Sequence, residues 1–172
     1  YGAQGITYTY NEPSIFMEFA YDVGILARKK GFFNTFVTNG YMTDEAVDML
    51  SKFLDAATVD FKGNAEPKFL RRFSMVPDPE PIFQALLEMK RKGIFIEVTD
   101  LVVPEIGDNL EYARKLARWI VDNLGPDTPM HFLRFHPDYK VDYLPPTPVE
   151  TLEKHAQIAK EEGLKYVYIG NV

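Results

Sequence analysis

The sequence predicts an α/β fold with parallel strands, arranged as an incomplete TIM-like (β/α) barrel. Three observations lead there. Short apolar, β-branched and aromatic runs alternate with stretches of helical period, giving the order βαβαβαβαβαβ. Strict strand–helix alternation implies parallel strands joined by right-handed crossovers. No Gly-x-Gly-x-x-Gly follows the first strand, which disfavours a doubly wound dinucleotide sheet, so the barrel is preferred.

The strands are expected at residues 5–10, 33–38, 57–62, 94–102, 130–135 and 165–169, each bounded by polar or Gly/Pro residues. The first helix, residues 14–30, carries an apolar stripe of Ile15, Phe16, Phe19, Val23, Leu26 and Ala27. It ends on Lys29 and Lys30 before Gly31, cations and a glycine that suit a helix C-terminus. Thr43 is the expected N-cap of a helix at 44–53. Gly93 stops a helix at 80–92, and Gly125-Pro126 ends one at 110–124. The last helix, 148–162, has Pro148 at its first position, after Thr147 and before Glu150. That spacing predicts a capping box.

A chain of 172 residues predicts a single domain, 1–172, that buries about 70% of its unfolded surface. With 46% hydrophobic and 26% charged residues it has a globular composition, which excludes intrinsic disorder. The net charge of −6 opposes a general nucleic-acid role, which needs a basic patch. No apolar run is long enough to span a membrane, and no leader pattern opens the chain, so a cytoplasmic protein is expected. Zero Cys excludes disulfide scaffolds, Cys-based zinc sites and any iron–sulfur cluster ligated by this chain's own thiolates. The first residue is Tyr1 rather than Met, and neither end carries a cap. The expectation is a piece of a longer protein.

In parallel α/β folds chemistry sits at the carboxyl ends of strands. Those ends carry Tyr10-Asn11-Glu12-Pro13, Thr38-Asn39-Gly40, Asp60-Phe61-Lys62, Thr99-Asp100, Arg134-Phe135-His136 and Gly170-Asn171. Each has a structural alternative. Glu12 could serve only a helix start, and Asn39-Gly40 only a turn. Asp60 and Lys62 share a strand face and could be a buried structural ion pair. A lone His136 past a strand is more often structural. His131 and His155 are read as structural, and Arg71-Arg72 as a solvated face. Two or three His without a nearby carboxylate pattern make a weak case for a metal site.

Together and in order, these clusters resemble a known family. Gly2-Ala3-Gln4-Gly5-Ile6-Thr7-Tyr8-Thr9-Tyr10-Asn11-Glu12-Pro13, Phe36-Val37-Thr38-Asn39-Gly40-Tyr41-Met42-Thr43 and Val59-Asp60-Phe61-Lys62-Gly63 carry the likeness. So do Arg134-Phe135-His136-Pro137-Asp138-Tyr139-Lys140 and Pro145-Pro146-Thr147-Pro148. They resemble radical S-adenosylmethionine (SAM) enzymes related to pyruvate formate-lyase activating enzyme, and more narrowly the radical SAM member of the AmmeMemoRadiSam system.

The resemblance implies that Glu12 takes the SAM ammonium in a charge-assisted pair, with Asn11 standing where the family usually has Gly. Thr38, Asn39, Thr99 and His136 would line the SAM site. Asp60 and Lys62 match an Asp-x-Lys pair beside SAM and substrate, the implied catalytic residues. Val37 stands where some relatives carry an acid for a monovalent cation. The family's Cys-x3-Cys-x2-Cys motif, which follows its first barrel strand, is missing. The resemblance therefore implies that the first strand and cluster loop lie outside this chain. The [4Fe–4S] cluster, which with SAM yields a 5′-deoxyadenosyl radical for hydrogen abstraction, would belong to the full-length enzyme. This chain alone would hold no metal and be inactive. Partners would come from the AmmeMemo system or be a protein substrate, with no nucleic acid and no membrane. A Schiff-base lyase using a desolvated Lys62 and a Cys-free binding module without chemistry are the alternatives. An exposed edge on the first strand is an expected association hazard.

Overall fold

The computed structural model describes residues 2–172. Tyr1, the first residue of the expected 1–172 domain, lies outside the described residues. Six strands form one sheet, β1 (Gly5–Tyr8), β2 (Phe33–Thr38), β3 (Ala56–Lys62), β4 (Phe95–Val102), β5 (Met130–Arg134) and β6 (Val167–Gly170). Their spatial order is the sequence order, β1-β2-β3-β4-β5-β6. The pairs β1–β2, β2–β3, β4–β5 and β5–β6 are parallel. Sequential order without reversal is the topology of a (β/α) barrel rather than of a doubly wound sheet, as expected. The longer helices are α1 (Met17–Lys29), α2 (Asp44–Leu50), α3 (Glu80–Arg91), α4 (Leu110–Asn123) and α5 (Val149–Glu161).

By contact the chain groups into two compact units, Tyr1–Asp60 with Glu80–Glu97, and Phe61–Pro79 with Val98–Val172. The first unit packs an aromatic cluster under α1. The Tyr8, Phe36 and Phe53 ring centroids lie 5.5–6.2 Å apart. Gly24 brings α1 onto this cluster, since a Cβ there would lie 2.2 Å from the Phe53 ring. The fully buried Asn34 donates to the carbonyls of Gly24 and Phe53 and accepts from the Tyr8 hydroxyl. Every polar atom of its side chain is thus paired, which burial demands. Burial pushes the Tyr8 hydroxyl pKa up.

The second unit buries Phe132, Met130, Ile120 and Leu152. α4 and α5 are joined at the surface by Glu162, which accepts from Arg114 and, at 2.8 Å, from Arg118.

Several boundaries differ from the sequence reading. β1 stops at Tyr8, because Tyr10 takes a left-handed φ of 72°. The first helix opens as a 3-10 turn, Pro13–Phe16, before α1 begins. The segment between β3 and α3, to which the sequence reading assigns no element, holds short helical turns at Gly63–Ala65, Pro67–Phe69 and Leu70–Ser74. The capping box does not form. Pro148 is the N-cap of α5, and no side chain caps it. The Thr147 hydroxyl instead donates to the Val102 carbonyl at 2.7 Å and accepts from Phe135 N–H at 2.9 Å.

Candidate functional site

Glu12 stands where the chain turns from β1 into the Pro13 turn, and its carboxylate is fixed by three donors. Oε1 accepts from the Thr38 hydroxyl at 2.6 Å and from Ser14 N–H at 3.3 Å. Oε2 accepts from Asn39 N–H at 2.8 Å. The end of β2 is shaped to present those donors. Thr38 Oγ also accepts from Gly40 N–H at 3.1 Å, and Asn39 Oδ1 accepts from Tyr41 N–H at 2.8 Å. Gly40 has φ +71°, and a Cβ there would lie 2.8 Å from Val59. Only glycine suits the position, because it tolerates both the backbone angle and the contact. The structure therefore unites Glu12, Thr38 and Asn39. Asn11 is adjacent and exposed.

A carboxylate offers about four lone-pair positions. Three donors engage Glu12, and among the described residues no lysine or arginine pairs with it. That donor set fits an ammonium group, such as the α-amino group of SAM.

The remaining expected residues lie on β3, β4 and the loop after β5. Thr58, Asp60 and Lys62 are half-buried on one face of β3, and Ala57, Val59 and Phe61 are buried on the other. Thr99 is half-buried on β4 and pairs in register with His131. His136 is exposed beyond β5. Its loop is anchored by Thr147, which ties Phe135 to the end of β4 and accepts from Arg134 Nε at 3.0 Å through its carbonyl. His131 stacks on Tyr168 with ring centroids 5.0 Å apart. Arg71 and Arg72 are exposed, as expected. An open cavity of about 450 Å³ lies between the segment after β3 and the loop before α4, with Phe69, Phe73, Lys68, Arg72, Glu66 and Glu105 among its lining.

The sequence reading names Asp100 as a strand-end residue but does not reveal its burial. Asp100 is fully buried, on the β4 face that carries Ile96, Val98 and Val102. Its Oδ1 accepts from Asn64 N–H at 3.0 Å, and its Oδ2 has no protein partner. Burial pushes its carboxyl up to about 7, against the pull of the Asn64 N–H and the Lys62 charge. The signal was present in the sequence, as an acid in the apolar phase of a strand.

A [4Fe–4S] cluster does not fit the residues present. The chain has no Cys, and among the described residues no group of three or more His, Cys, Asp or Glu could hold a metal ion. Among them, too, no helix is long and apolar enough to cross a membrane.

The profile of the Radical SAM superfamily matches residues 1–120. "Uncharacterized protein MJ0808" of Methanocaldococcus jannaschii is 46% identical over all 172 residues, and the chain spans 50% of its length. A domain of pyruvate-formate lyase-activating enzyme from Bacteroides vulgatus superposes with a TM-score of 0.82 at 19% identity, covering 99% of this chain and 100% of that one. A radical SAM methyltransferase from Sphaerobacter thermophilus gives a TM-score of 0.73 at 19% identity, covering 97% of this chain and 50% of that one. Those likenesses concern the fold. The family match extends over more than half of the chain, which therefore belongs to the radical SAM superfamily.

Proposed function

We propose that this chain is the SAM-binding part of an enzyme of the pyruvate formate-lyase activating type, with Glu12 as the acceptor for the SAM ammonium. The supporting observation is the Glu12 carboxylate, oriented by Thr38, Asn39 and Ser14 and paired with no cation among the described residues. A charge-assisted pair at such a preoriented acid contributes about 1.5–3 kcal/mol.

SAM, once bound and reduced, supplies the radical chemistry of hydrogen abstraction. This chain's residues would bind and orient it. Thr38 and Asn39 hold the Glu12 carboxylate in place, while Asn11, Thr99 and His136 are assigned to the same cofactor by resemblance. Asp60 and Lys62 put opposite charges on one face of β3 and are assigned to the reacting end. Because the chain is Cys-free, thiolates for a cluster would come from outside these 172 residues. The motif resemblance also supports a protein substrate or partners of the AmmeMemo type.

Equilibrium dialysis of the 172-residue chain against SAM tests the reading. Saturable binding at one site, with no cleavage, is expected. No binding overturns the assignment of Glu12. SAM cleavage by this chain when loaded with iron overturns the assignment of the thiolates.

A further inference from the structure

Immediately after Lys62 the backbone turns through three consecutive left-handed residues, Gly63 (φ +61°), Asn64 (φ +59°) and Ala65 (φ +56°). Left-handed conformations are unfavourable for an L-residue and normally occur singly. Glycine escapes that cost and asparagine tolerates it, but alanine has no such excuse. Strain of this kind persists only where the surroundings over-determine the backbone.

Here the surroundings converge on Asn64, which is 1% exposed. Its backbone N–H donates to Asp100 Oδ1 on β4. Its side-chain nitrogen lies 3.4 Å from the Gly107 carbonyl, 3.2 Å from the Asn109 carbonyl and 3.2 Å from His155 Nε2 on α5. The tautomer of His155 follows from its other nitrogen. Nδ1 sits 2.7 Å from the Thr151 carbonyl, which can only accept, so Nδ1 carries the hydrogen and Nε2 offers a lone pair. Burial holds this imidazole below its ordinary pKa, which keeps it neutral. Three acceptors thus surround one amide nitrogen and fix the Asn64 side chain. Packing adds a second constraint. A Cβ on Gly107 would lie 2.9 Å from Gly63 Cα, and a Cβ on Gly63 would lie 2.4 Å from the Phe69 ring.

We propose that Asn64 is a positioning residue for Lys62. By clamping the left-handed turn to β4, the loop before α4 and α5, it fixes where β3 ends and how the Lys62 amine is presented. The inference deepens the role assigned to Lys62 above and rests on that reading for its functional meaning.

Competitive acetylation with limiting acetic anhydride, read residue by residue by mass spectrometry, tests it without requiring catalysis. Asn64→Gly keeps the left-handed φ available but removes the clamp. It should change the Lys62 acetylation rate, relative to Lys115 in the same molecule, by about threefold, as the exposure and hydrogen bonding of the amine change. Adding Ala65→Gly, which relieves the strain, should return the rate most of the way. Should Asn64→Gly not fold, Gly107→Ala displaces the turn from outside and should shift the same ratio. A folded variant with an unchanged Lys62/Lys115 ratio, or a double variant with no recovery, overturns the proposal. Failure of SAM binding leaves this readout untouched, so the two readings fail separately.

Discussion

The Thr38 hydroxyl donates to Glu12 Oε1 at 2.6 Å, joining residues 26 apart in sequence. The same Thr38 oxygen accepts from Gly40 N–H, so one side chain both orients the acid and closes the turn beyond β2. Thr38→Val removes both bonds at a position only 2% exposed. We expect a loss of about 1–3 kcal/mol in urea unfolding, together with weaker SAM binding. Thr38→Ser should restore most of both.

Asp100 should make stability depend on pH in an unusual direction. Its folded pKa, about 7, lies above its ordinary 3.8. A carboxyl raised in this way favours the folded state while protonated, so its contribution is full below about pH 4 and is lost as pH rises to about 7. Unfolding free energy should fall by roughly a few kcal/mol across that window. Asp100→Asn, which keeps an acceptor for Asn64 N–H, should flatten the slope and be more stable than the parent at pH 8. Urea titrations at pH 5 and pH 8 check this, and equal slopes for the two proteins would refute it.

At lower pH the surface carboxylates act with the opposite sign. The Arg118 and Arg114 guanidiniums beside Glu162 hold its carboxyl below the usual 4.5, and Arg91 does the same for Glu88. Their contributions are present above pH 4.5 and disappear as pH falls through the lowered values. Glu162→Gln should reduce the melting temperature at pH 7 and have little effect at pH 2, with the difference shrinking in high salt.

Gly24→Ala reverses a common expectation. In an exposed helix interior the change stabilises by about 1 kcal/mol. On α1 the new methyl would lie 2.2 Å from the Phe53 ring, and overpacking of that kind costs about 1–3 kcal/mol. A lower midpoint in thermal unfolding is the expected result.

Much of this fold could be read locally, because alternating strand and helix periods fix parallel order almost without choice. Glu12 and the Thr38-Asn39-Gly40 end were legible for the same reason, since polar residues that close apolar strands stand out. What escaped were devices that depend on distant partners. Thr147 has capping-box spacing with Glu150, yet its hydroxyl reaches Val102, 45 residues away. The Asn64–His155 contact spans 91 residues, a separation no local pattern encodes. Asp100 was visible as a polar residue at the end of β4, but its burial becomes apparent only from the phase of its neighbours Val98 and Val102.

The proposed pairing of Glu12 with the amino group of SAM makes a ligand-specific prediction. It is tested most directly by titrating the 172-residue chain and its Glu12→Gln variant with SAM and with 5′-methylthioadenosine, which lacks the amino-acid arm. Glu12→Gln should weaken SAM binding by about tenfold or more and leave 5′-methylthioadenosine binding unaffected. Equal losses for both ligands, or none for SAM, would contradict it.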